Sequence, residues 1–128
     1  MPNTEAPSGF HSVTPRMVVA DVAGQIAFLR AVFDATGDPP VGRPAEIRIG
    51  DSVVLVTASG DRAVFPAFLY VYVADADAAY ERALAAGATS LEEPLDTPYG
   101  DRRAMVRDPC GNVWQIAHVM GGADARLR

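Results

Sequence analysis

A run of aromatic residues at alternate positions, three arginines and one glutamate are the side chains of this sequence best equipped for chemistry. In Phe68-Leu69-Tyr70-Val71-Tyr72 the period-2 geometry of a strand puts Phe68, Tyr70 and Tyr72 on one side. Such a stripe is either a stacking wall for a planar ligand or a packing surface within a sheet or dimer seam. The same alternation groups Thr14 with Arg16, Glu46 with Arg48, and Arg103 with Met105. A cross-strand Arg–Glu pair would occupy Glu46 and one arginine. The remaining positive charge would suit a ligand carrying carboxylate, phenolate or quinone oxygens. Glu46, the arginines and the tyrosines are also the groups from which acid–base chemistry without a metal would be built.

Other candidates are weaker. Cys110 has no neighbouring His or Lys to stabilise a thiolate and reads as inert. His11 lies in a polar N-terminal arm and His118 near a strand's end. Tyr99, beside Gly100, either covers a ligand or serves only as a turn residue. No phosphate-binding glycine loop, nucleophile elbow or zinc spacing occurs.

With 128 residues, half of them apolar, the chain is expected to form one domain, 1–128, with its own core. A formal charge of −5 argues against nucleic acid as a partner. A single cysteine fits a reducing cytoplasm, and no apolar run is long enough to span a membrane.

The elements that must position these side chains repeat. A strand over 13–20 leads to Asp21 as a helix N-cap, with Ile26, Leu29 and Phe33 at helical spacing. Gly37, Pro39, Pro40 and Gly42 make a loop or short irregular strand, and strands over 45–49 and 52–57 flank a Gly50-Asp51 turn. A strand over 68–74 then leads to Asp75, a second helix ending at Gly87, and strands over 89–93, 102–107 and 113–118. Two βαβββ modules, 12–60 and 66–119, follow, with loosely ordered tails at 1–11 and 120–128. One module cannot cover both faces of its sheet, so the two are expected to combine.

Trp114 and Ile116 belong under a helix, which turns Gln115 to the open face. There it either orients a ligand or satisfies a neighbouring backbone group. Matching Gly50-Asp51-Ser52-Val53-Val54-Leu55 with Gly111-Asn112-Val113-Trp114-Gln115-Ile116 places Ser52, Val54 and Val56 on the open face too, and Val53 and Leu55 in the core. Ile47 and Ile49 are assigned to the core, and Glu46 and Arg48 to the cavity.

The stretch Arg107-Asp108-Pro109-Cys110-Gly111-Asn112-Val113-Trp114-Gln115-Ile116 resembles the closing hairpin of the glyoxalase/bleomycin-resistance group, the vicinal oxygen chelate superfamily. The resemblance extends over 12–119. It implies an α+β fold in which two βαβββ modules form a curled mixed sheet, with a concave pocket and helices on the convex face, often as a homodimer. It also places the superfamily's metal-ligand positions at Thr14, Val54, Phe68 and Gln115. Metal-using members fill these with His, Glu or Gln, and usually have Glu where this chain has Gln115. Val54 and Phe68 carry no donor atom, so neither a metal nor another cofactor is expected.

The expected activity is therefore binding rather than catalysis: a metal-free, bleomycin-resistance-type protein that sequesters a small aromatic natural product or antibiotic and so confers self-resistance. Its ligand residues would be Thr14, Arg16, Glu46, Arg48, Val54, Phe68, Tyr70, Tyr99, Arg103, Met105 and Gln115. The alternative is a metal-independent, glyoxalase-like lyase or isomerase acting on a small organic acid or ketone. A degenerate member kept for protein interaction is a third possibility.

Overall fold

Asp21 and Asp75 set the two helices in place. Each has an extended backbone and a carboxylate that accepts a bond from the helix's third residue, Gly24 N–H at 2.9 Å and Ala78 N–H at 3.1 Å. In the computed structural model, which describes residues 5–37 and 43–121, the first helix, α1, spans Val22–Phe33 and the second, α2, spans Ala76–Ala85. Helix α1 stops at Asp34 in the left-handed region (φ 55°). Helix α2 stops before Gly87 (φ 99°), where Ala88 N–H closes back on Ala83 O at 2.9 Å.

The chain divides into two compact units, Met1–Ala67 and Phe68–Arg128. In the first, strands β1 (Arg16–Val19), β2 (Ala45–Ile49) and β3 (Ser52–Ala58) form a mixed sheet in the order β1-β3-β2, with β1 parallel and β2 antiparallel to β3. In the second, β4 (Phe68–Tyr72), β5 (Thr89–Asp96), β6 (Asp101–Arg107) and β7 (Val113–Val119) form a mixed sheet in the order β4-β7-β6-β5, with β4 parallel to β7. The class is α+β, with a helix after the first strand of each unit. Just before the expected loop or short irregular strand, Thr36 forms a bridge to Arg48. Pro39, Pro40 and Gly42, like the ends of both expected tails, lie outside the described residues.

Facing residues in a ladder share a side of the sheet, so register decides which side chains meet the helix. In the second unit Leu69 and Val71 share a side with Trp114, Ile116, Ala104 and Val106, as the sequence pattern requires. His118, on the same side, accepts a bond on Nδ1 from Ala76 N–H at the start of α2, 2.8 Å away.

The first unit departs from expectation. Val56 pairs with Met17 and Ala45, and Val54 with Ile47. Gln25 of α1 donates to Met17 Sδ at 3.5 Å, so this is the helix side, and Val54 (4% exposed) and Val56 (1%) are core residues. The placement of Ser52, Val54 and Val56 on the open face is thus corrected. Val53, Leu55 and Thr57 lie there instead, with Arg16, Val18, Glu46 and Arg48.

Unequal turns cause the error. Gly50 (φ 57°) opens the two-residue turn between β2 and β3, whereas Gly111 (φ 93°) stands late in the longer 108–112 loop. Aligning those glycines slips the repeat by one residue, and a one-residue slip exchanges faces. Leu55, opposite Arg16 on β1, is the true counterpart of Gln115, which stands opposite Tyr70 on β4.

The Asp-Pro-x-Gly-Asn loop is organised by its first residue. Asp108 is buried, and its Oδ1 accepts from Cys110 N–H (2.9 Å) and Asn112 N–H (3.0 Å). Its Oδ2 accepts from the Trp114 indole N–H at 2.9 Å. The motif that suggests a family is therefore a staple between hairpin and core.

Candidate ligand-binding site

Three lateral rows that begin on β4 lie on the open face of the second unit. Phe68 aligns with Val113 and Arg107, Tyr70 with Gln115 and Met105, and Tyr72 with Ala117 and Arg103. Period-2 alternation places all of them opposite the face under α2. Phe68 is 67% exposed, Tyr70 36% and Tyr72 49%, a large apolar area left open on one strand. The Tyr70 and Tyr72 rings lie 5.3 Å apart, tilted by 50°.

The hairpin between β5 and β6 brings the polar part of the site to these rings. Thr97 and Asp101 clamp its base: Thr97 N–H donates to Asp101 O at 2.8 Å, and Thr97 Oγ1 both accepts from Asp101 N–H and donates to Asp101 O at 3.0 Å. Gly100, at φ 93°, makes the reversal, and its carbonyl accepts from Met120 N–H at 2.8 Å. Tyr99 is thereby held at the tip and Asp101 at the first position of β6.

Asp101 is fully buried, and its Oδ2 accepts from both aromatic neighbours, Tyr70 Oη at 2.6 Å and Tyr72 Oη at 2.9 Å. Tyr70 Oη is also 3.4 Å from Tyr99 Oη, which accepts from Arg103 Nη1 at 2.9 Å. Arg103 in turn donates through Nε and Nη2 to Glu92 Oε1, at 3.2 and 2.8 Å. A chain of hydrogen bonds therefore runs Glu92–Arg103–Tyr99–Tyr70–Asp101–Tyr72 across one face.

The chain separates the phenols electrostatically. Tyr70 is pushed well above the ordinary tyrosine range, first by desolvation and then by its bonds to Asp101 and Tyr99. Tyr99 is drawn below that range, chiefly by its bond to Tyr70 and then, against some desolvation, by the Arg103 charge. Arg103 is raised by its bond to Glu92.

Of the residues expected in a site, the second unit brings Phe68, Tyr70, Tyr99, Arg103, Met105 and Gln115 together around this chain. In the first unit Arg16 and Glu46 both stand beside Leu55, and Arg48 beside Val53, on the face opposite α1. Thr14 is half-buried just before β1, and Val54 is turned into the core. Arg48 donates to Gly9 O at 3.2 Å, tying the N-terminal arm to β2. The ion pair expected at Glu46 is found instead at Arg103–Glu92, so Arg103 contributes no surplus positive charge.

Sequence reasoning missed Asp101, Glu92 and Thr97. Tyr99-Gly100-Asp101 was visible as a turn, but nothing local announces that its aspartate is buried beneath two tyrosines. A separate apolar recess of about 330 Å³ lies by the start of α1, bordered by Val22, Arg43, Pro44, Ala45 and Val56. None of the expected ligand residues borders it.

A divalent ion does not fit the chemistry of the expected ligand positions. Phe68 has no donor atom, and neither Val54 nor its corrected counterpart Leu55 has one. A threonine hydroxyl and a neutral amide are poor substitutes for His and carboxylate ligands. Among the described residues no group of three or more His, Cys, Asp or Glu side chains is placed to hold a metal, and no helix is long and apolar enough to cross a membrane.

Known proteins resemble this chain in sequence and fold. The chain is 32% identical over 123 residues to the protein Mb0911c of Mycobacterium bovis, with 82% of this chain and 81% of that protein covered. Its fold matches TioX from Micromonospora sp. ML1 with a TM-score of 0.69 and 25% identity, over 88% of this chain and 99% of that one. It also matches a glyoxalase/bleomycin resistance protein/dioxygenase family enzyme from Burkholderia phytofirmans PsJN, with a TM-score of 0.72 and 21% identity, over 90% and 100% of the two chains. The family model matches residues 9–116, spanning both sheets and the closing hairpin, and the chain belongs to the Glyoxalase/Bleomycin resistance protein/Dioxygenase superfamily.

Proposed function

We propose that this protein is a metal-free, bleomycin-resistance-type binder of small planar aromatic compounds, acting in the cytoplasm as a homodimer to sequester a natural product or antibiotic. The observation that carries the proposal is the open row of Phe68, Tyr70 and Tyr72, fixed from behind by Asp101. Rigid rings supply contact area with little entropy left to lose on binding. Sequestration needs no catalytic group, which accords with a donor set unsuited to a metal. Exposed Val64 and Phe65 in the first unit, and the open aromatic row in the second, are apolar surface that a second copy would cover.

The test is titration of a panel of planar polycyclic compounds, followed by intrinsic fluorescence, together with growth protection of a sensitive host. Phe68→Ala is expected to weaken binding by about 1–3 kcal/mol, the scale of one aromatic contact, while leaving stability nearly unchanged because the ring is mostly exposed. Failure of any aromatic compound to bind below millimolar concentration would refute the proposal, and sedimentation showing only monomer would refute its dimeric part. The metal-independent lyase or isomerase reading draws on one specific observation, the Tyr99 phenol held below its usual range beside Arg103. Turnover of a small ketone or organic acid, abolished in Tyr99→Phe, would establish it in place of binding.

A further inference from the structure

Asp101 gives the aromatic face a polarity opposite to the one the arginines suggest. A phenol has one proton. Those of Tyr70 and Tyr72 are directed inward to Asp101 Oδ2, at 2.6 and 2.9 Å; the 3.4 Å contact to Tyr99 is the longer and weaker of the two at Tyr70, so Asp101 takes that proton. What either oxygen can still present to a ligand is a lone pair. Behind the rings lies a buried carboxylate. The nearest cation on this face, Arg103, has its charge matched by Glu92. Arg107 stands in the Phe68 row, at the far end of the face from Asp101.

Resting on the aromatic-binding reading above, we infer that the ligand of this face is a planar aromatic cation bearing N–H donors, a protonated amino-heterocycle or amidine, rather than an oxyanion. Its ring stacks on Phe68 and Tyr70. Its protonated nitrogen meets the oxygens of Tyr70 and Tyr72, which are turned into acceptors by Asp101. Electron-rich tyrosine faces attract a cation in addition to the hydrogen bonds, and the carboxylate deepens that attraction. An anion at the Tyr70 and Tyr72 oxygens would meet lone pairs, with neither phenol proton left to satisfy it. Asp101 is therefore a specificity-determining residue that acts through the two phenols without touching the ligand.

The experiment compares two three-ring probes of similar shape at neutral pH, 9-aminoacridinium and anthracene-9-carboxylate, titrated into wild type, Asp101→Asn, Tyr70→Phe and Asp77→Asn. Wild type is expected to bind the cation at least about tenfold more tightly, a difference of roughly 1.4 kcal/mol. Asp101→Asn should bring the ratio toward one, because an amide donates as well as accepts. Tyr70→Phe, which removes one acceptor oxygen and leaves the carboxylate, should lower the ratio in part and serves if Asp101→Asn does not fold. Asp77 lies in α2, so Asp77→Asn removes the same formal charge away from the rings and should leave the ratio unchanged. Equal or tighter binding of the anion by wild type overturns the inference while the aromatic-binding reading survives. So does a ratio that Asp77→Asn reduces as much as Asp101→Asn, since preference would then follow net charge alone. If neither probe binds, the inference falls, and the aromatic-binding reading falls with it when the whole planar panel fails as well.

Discussion

Replacing Asp108 with alanine tests whether the family-like hairpin motif is a structural staple. The substitution removes the acceptor for three donors: Cys110 N–H, Asn112 N–H and the Trp114 indole N–H. Cys110 is half-exposed, so water can replace its bond. Asn112 and Trp114 are 1% and 2% exposed, so their donors stay in a dry interior. Loss of these two buried bonds at about 1–3 kcal/mol each predicts a loss of roughly 2–6 kcal/mol. A domain of this size has only about 5–15 kcal/mol to lose. Urea unfolding followed by far-UV circular dichroism measures the loss, with Asp108→Asn as a milder variant should the alanine protein not fold. Repeating the substitution in a Trp114→Phe background isolates the indole. With that donor already gone, Asp108→Ala should cost about 1–3 kcal/mol less than in wild type. A cost below about 1 kcal/mol for Asp108→Ala, or the same cost in both backgrounds, would refute the staple.

Three further outcomes follow from the same structure. Val54→Asp should abolish folding or cost several kcal/mol, roughly 3 or more, because it places a carboxylate in the α1 core, whereas Leu55→Asp on the opposite face should fold; thermal melts decide, and the reverse order would restore the uncorrected register. His118→Ala removes the acceptor for Ala76 N–H at the start of α2 and should lower stability by about 1 kcal/mol, seen as faster amide exchange confined to that first turn. Arg102 holds the Asp77 carboxyl below its usual range, so this pair contributes stability above the unfolded-state value and loses it as pH falls through the depressed one. Because Asp77 is half-exposed, Asp77→Asn should cost at most about 1 kcal/mol at neutral pH and nothing near pH 2, as read from denaturant midpoints across that range.

The elements of this fold were legible because their signals are local. Asp21 and Asp75 each precede an apolar 3.6-residue period, Gly87 ends one, and Gly50-Asp51 separates two runs of strand formers. Face assignment succeeded where one side chain was decisive: Trp114 is too large and apolar to face outward, so Gln115 is placed by elimination, and the register sets Tyr70 and Met105 beside it. In β3 no residue plays that part. Ser52-Val53-Val54-Leu55-Val56-Thr57 is apolar on both sides, and both Val53 and Val54 are buried, so the pattern fixes no phase and a borrowed alignment supplied the wrong one. The glutamate alternation in β2 held the correction, since Glu46 and Arg48 leave Ile47 facing the helix, and Ile47 pairs with Val54.

The site shows a different limit. Its aromatic wall could be read from three residues at alternate positions, but the group that governs the wall comes from another strand. Asp101 lies 31 positions from Tyr70 and 29 from Tyr72, and in sequence it is one more polar residue after a glycine turn. Only the Thr97–Asp101 clamp and the β6–β7–β4 register carry it beneath the rings. Counting charges by face gave three arginines against one glutamate. Counting partners in space gives Arg103 to Glu92 and two phenol protons to Asp101, so on this face the Arg103 charge is matched and both phenols direct their protons inward. Charge composition alone could not have shown those partners, because a long side chain's partner is set by register and reach rather than by proximity in sequence.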